Sequence, residues 1–215
     1  MKHLIRMMLV GVALCGAAAA AAAAAHRMAT VAANPGPTAT SIAFMGRRYV
    51  LSRSVHHGIG VSTVYLPSGS RQGGASDMLM INYTLRHGAH HSPVTARQIA
   101  ARMASTFRSL HAPLVFPFAI PDRQFPGHYI YVVTALLLMP SAQKTALIIA
   151  RVRTQAAGKW IDGVIFQRVR QGHWSGSTKV TQALAPDRRW LKRHLQAVAK
   201  ALAKVHAPLP PLVLR

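Results

Sequence analysis

The only cysteine of this chain, Cys15, lies inside an N-terminal stretch that reads as an export signal. The part that folds after export then has no disulfide and no thiolate for catalysis or metal ligation. Its apolar core alone must hold it together. The roughly 165 residues from 43 to 206 are enough to bury one such core.

The signal has three parts. Lys2 and Arg6 make a positive start, Met7 to Leu14 an apolar centre, and Ala17 to Ala25 the small residues that signal peptidase requires. Cleavage is expected before His26, and Val31 with Ala33 fits a second cut before Asn34. Two alternatives compete. The stretch from Met7 to Ala25 is nearly the ~20 apolar residues that span a bilayer, which would make it an N-terminal membrane anchor. Cys15 after Val12-Ala13-Leu14 would be a lipoprotein cysteine, although Leu14 stands where a small residue belongs. The expected location is therefore periplasmic or secreted, with residues 1–25 as signal peptide and no integral membrane domain after its removal.

Charge narrows the choice of partners. The chain has 26 Lys and Arg against 4 Asp and Glu. Without Lys2 and Arg6 the balance is 24 against 4, a formal charge of +20 with the histidines neutral. All four acids are aspartates: Asp77, Asp122, Asp162 and Asp187. In a cytoplasmic protein this balance would suggest nucleic acid. With an export signal, an anionic envelope polymer or a membrane surface becomes the expected partner, and nucleic acid an unlikely one. Arginine-rich and alanine-rich genomic composition, or adaptation to an acidic exterior, would produce the same excess with no partner at all.

Residues 26–42 carry Asn34-Pro35-Gly36-Pro37-Thr38 and read as a flexible linker. A single domain is expected over 43–206, followed by a Pro-rich C-terminal tail at 207–215. Six strands are expected: Arg48 to Arg53, Val61 to Leu66, Met78 to Leu85, Tyr129 to Leu138, Thr145 to Arg153 and Trp160 to Val169. A helix starts either at Ser92-Pro93 or at a capping box formed by Thr95 and Gln98, with Ile99, Met103, Phe107 and Leu110 as its apolar stripe. The stretch holding Pro113, Pro117, Pro121 and Pro126 reads as irregular. A last helix is expected from Asp187 to about His206, with Leu191, Leu195, Val198, Leu202 and Val205 on one side.

The expected fold class is α+β: an antiparallel sheet of about six strands in a meander, with two helices covering one face. This order of elements is similar to that of the PsbP-family fold, a likeness of architecture alone.

Two residue groups are candidate sites. His56 and His57 precede the second of these strands, and His87, His90 and His91 follow the third. If those strands pair antiparallel, the histidines meet at one rim and would suit zinc or copper. No cysteine or carboxylate lies nearby to complete a mixed site, so solvated loop histidines are the competing reading. On the last helix, Arg188, Arg189, Lys192, Arg193, Lys200 and Lys204 flank the apolar stripe. Such a helix lies on an anionic surface, or packs its stripe onto the sheet and leaves its charges in water.

Enzyme signatures are missing. There is no Gly-x-Ser-x-Gly elbow, and Gly69, Gly73 and Gly74 are not followed by the Gly-Lys-Ser/Thr of a phosphate loop. Paired-carboxylate catalysis would have to draw on four scattered aspartates. The sequence thus favours non-enzymatic binding to an anionic envelope component. A periplasmic metal-binding protein and a small hydrolase of unrecognised type are the alternatives.

Overall fold

The computed structural model describes residues 40–57, 60–70, 77–85, 94–123, 125–139, 142–154, 160–172 and 179–205, which fall within one compact unit. The expected signal peptide, most of the expected linker and the expected tail lie outside these residues.

Eight strands form one antiparallel sheet: β1 (Ser41–Phe44), β2 (Arg47–His57), β3 (Gly60–Pro67), β4 (Asp77–Leu85), β5 (Leu114–Pro121), β6 (Tyr129–Met139), β7 (Lys144–Thr154) and β8 (Trp160–Gln171). Their order across the sheet is β1-β2-β3-β4-β8-β7-β6-β5. This corrects the expected six-stranded meander. Two four-stranded meanders join where β4 pairs with β8. Both additional strands are edges. β1 turns into β2 through Met45 and Gly46, whose φ of 51° and 72° are the left-handed pair of a two-residue hairpin. β5 carries Pro117 and Pro121, and it pairs only with β6, so a missing N–H can face its open side.

Two helices lie among the described residues, α1 (Ala96–Ser109) and α2 (Val180–Lys204). The Thr95–Gln98 capping box starts α1: the Gln98 N–H donates to Thr95 Oγ1 at 3.1 Å, and the Thr95 N–H to Gln98 Oε1 at 2.8 Å. Its buried stripe is Ala96, Ala100, Met103, Ala104 and Phe107, while the expected Leu110 is exposed. α2 begins two turns before Asp187, with Pro186 inside it. Pro186 cannot donate to the Gln182 carbonyl. The neighbouring Ala183 carbonyl instead accepts from Arg170 Nη2 at 2.6 Å.

The helices lie on opposite faces of the sheet, which corrects the expectation that both cover one. α2 buries Leu184, Leu191, Val198 and Leu202 in a cluster with Ile130, Val132, Leu136, Leu147 and Ile149. None of the α1 residues belongs to that cluster. The alternate residues of the same strands, Val133, Ala135, Ala146, Ile148 and Ala150, are equally buried, and α1 packs against β5, β6 and β7. β7 is therefore buried along nearly its whole length, on both sides. No described helix is long and apolar enough to cross a membrane.

Candidate anion-binding surface

Every acidic side chain of the chain is buried: Asp77, Asp122, Asp162 and Asp187 are 7%, 5%, 2% and 3% exposed. An isolated buried carboxylate is costly, so each needs partners. Asp162 on β8 accepts from Arg151 Nη1 at 2.7 Å and Arg153 Nε at 3.3 Å, both cross-strand neighbours on β7. Arg151 Nη2 also donates to the Val205 carbonyl at the end of α2, at 3.2 Å, and so ties the helix to the sheet. Asp162 thus has two arginine partners. Asp187 accepts from Thr145 Oγ1 at 2.7 Å and Arg170 Nη2 at 3.0 Å. It fastens α2 to β7 and β8, where the sequence suggested a helix start. Asp122 lies after β5, and its N–H donates to the His128 carbonyl.

Asp77 is the least satisfied. Its Oδ2 lies 3.6 Å from Arg47 Nη1, while no described group donates to its buried Oδ1. Burial raises its pKa above the ordinary carboxylate value, against the opposing pull of Arg168 and Arg47. The nearby Tyr49 hydroxyl is pushed up to about 12, by burial first and by Asp77 second. Arg168 stacks 4.7 Å from the ring centre of Trp190, which itself lies against Phe166 and His194.

With the carboxylates inside, the charged side chains that face water among the described residues are cationic. Arg188, Arg189, Lys192, Arg193, Lys200 and Lys204 are all exposed along α2. Its apolar stripe packs on the sheet, with Leu195 only partly buried, so α2 is not free to lie stripe-down on a bilayer. Arg97, Arg102 and Arg108 are exposed on α1, and Arg123 beyond β5. No local pattern signals that all four acids are internal. Only Asp162 lies on an expected strand, two residues after Trp160.

The histidine rim is placed only at backbone level. β2 runs on through His56 and His57 rather than ending at Arg53, because Ser54 to His57 pair with Thr63 to Gly60. Gly60 in turn pairs with Thr84, one residue before β4 ends at Leu85. β2 therefore ends at the rim from which the chain enters the His87–His91 segment. His87, His90 and His91 lie outside the described residues. No group of three potential metal ligands occurs among the described ones.

No protein-family model, no curated protein and no solved structure matches the chain, so the likeness to the PsbP-family fold rests on element order alone.

Proposed function

We propose that this chain is an exported cell-envelope protein that binds an anionic envelope component without catalysis. The observation that supports this is the complete burial of its carboxylates. A surface whose side-chain charges are all positive attracts polyanions from every side, and neutralising their phosphates or carboxylates releases counterions. The cations of α2 form the densest described row on that surface.

Net charge alone would retain such a protein on any anionic matrix, so the test compares two variants of equal charge. One carries Arg188→Glu, Arg189→Glu, Lys192→Glu and Arg193→Glu on α2. The other carries Arg97→Glu, Arg102→Glu, Arg108→Glu and Arg123→Glu, away from α2. Binding to heparin and to lipopolysaccharide is followed across a salt series. A larger loss of affinity and a shallower salt slope in the α2 variant support the reading, and equal losses overturn it. Export itself is tested by N-terminal sequencing of the mature protein, expected to begin between His26 and Asn34. An intact Met1, or a lipid on Cys15, would refute cleavage there.

The second reading, a periplasmic metal-binding protein, is favoured by one observation: β2 ends in His56 and His57 at the rim where β4 leaves. Zinc or copper should then raise the melting temperature, and His90→Ala with His91→Ala should remove the gain.

A further inference from the structure

α2 lies over β6, β7 and β8 and leaves the same face of the edge strand β5 beside it rather than beneath it. Between them runs an open depression of about 620 Å³, lined by Leu114 of β5 and by Leu191, Leu195, Arg188, Lys192 and Arg193 of α2. Phe116, 52% exposed, and Phe118 extend the apolar side along β5, because residues two apart in a strand share a face. The floor is leucine, and the rim is three cations with Gln196.

We propose that this groove binds a single anionic amphiphile, an acyl chain with a phosphate or carboxylate head. The chain would lie along Leu114, Leu191 and Leu195, and the head would meet Arg188, Lys192 and Arg193. Charge complementarity selects this occupant. All four acidic side chains of the protein are buried, so no acidic side chain competes at the rim. A second copy of the protein would present cations to cations. A purely polar anion would leave the leucine floor wet. The inference deepens the reading above by naming the chemistry of the bound molecule.

Isothermal titration of the full mature chain with octyl, decyl and dodecyl phosphate, each below its micelle concentration, tests this directly. Affinity should rise about two- to fourfold for each methylene added, as expected for partial to full burial of the chain. Octyl glucoside, with a neutral head, should bind at least tenfold more weakly than octyl phosphate. Lys192→Ala with Arg193→Ala, both exposed, should lower dodecyl phosphate affinity about tenfold, the worth of a hydrogen bond to a charged group. Leu195→Ser should flatten the dependence on chain length, and unchanged melting curves would show that both variants fold. Affinity independent of chain length overturns the proposal. So does displacement by equimolar inorganic phosphate, or binding to anionic vesicles with none to monomers. Binding that appears only after residues 207–215 are removed overturns it too, because the tail would then be the occupant. If the two glutamate variants lose polymer binding equally while the chain-length series holds, the groove stands and the polymer reading falls. The reverse result sinks the groove alone.

Discussion

Replacing Asp162 by Asn keeps the shape of the side chain and removes the charge that two buried arginines share. Arg151 is fully buried and the Arg153 side chain is 6% exposed, so neither can turn to water when the carboxylate is lost. Breaking a buried ion pair by deleting one partner costs about 3–5 kcal/mol, because an uncompensated charge stays inside. At the ~2–4 °C per kcal/mol expected for a chain of this size, the melting temperature should fall by about 6–20 °C. Differential scanning calorimetry of the mature chain at neutral pH measures this, with urea unfolding as the second probe. A triple variant, Asp162→Leu with Arg151→Met and Arg153→Met, separates the buried charge from the lost bond. It removes the charges together with their partner and should recover most of the loss. The reasoning fails if Asp162→Asn lowers the melting temperature by less than about 3 °C. It also fails if the triple variant is no more stable than the single one. In that case Asp162 would hold the fold by geometry rather than by balancing charge.

Asp77 has a raised folded-state pKa, so its stabilising contribution is complete below the unfolded pKa and is lost as pH rises through the folded value. Asp77→Asn should therefore be at least as stable as the parent at pH 7, with the parent gaining on it toward pH 4. A variant much less stable at pH 7 would show a net favourable ion pair instead. Tyr49, held near 12, contributes stability that is present below its unfolded pKa of about 10 and lost as pH rises through 12. Tyr49→Phe should flatten the fall in melting temperature across that alkaline window, and an unchanged profile would place the alkaline weakness elsewhere. Thr95→Ala removes the capping box of α1 and should cost about 1 kcal/mol in urea unfolding, with no measurable effect on anion binding.

The short runs Arg48 to Arg53 and Val61 to Leu66, the alternation of Met78 to Leu85 and the apolar runs of β6 to β8 made six strands legible, with ends within two residues for all but β2. The two missed strands are edges. β1 is four residues long, and the prolines of β5 argue against a strand everywhere except at a border. The helix placement was misread for a related reason. Tyr129 to Leu138 and Thr145 to Arg153 are apolar without alternation, the mark of strands covered on both faces. α1 buries mostly alanines, so its larger residues alone described its stripe poorly. Pro186 before Asp187 imitated a helix start. Asp187 is instead a carboxylate aimed at Thr145 and Arg170, a contact between residues far apart in the chain that no local pattern announces. The cationic face of α2 was readable as a row of residues. The groove beside it was not, since it exists only because α2 stops short of β5.

Internal carboxylates also govern how this protein meets its own kind. Two ordinary proteins can lock lysine to glutamate across a chance contact, whereas two copies of this one have no such pair to form. Charge favours close approach between them only through a third body, a multivalent anion held by both. Monovalent salt should weaken their mutual repulsion without joining them, while polyphosphate or sulfated polymer should draw them together into clusters. Light scattering across such a series would read this directly, and clustering in monovalent salt alone would refute it.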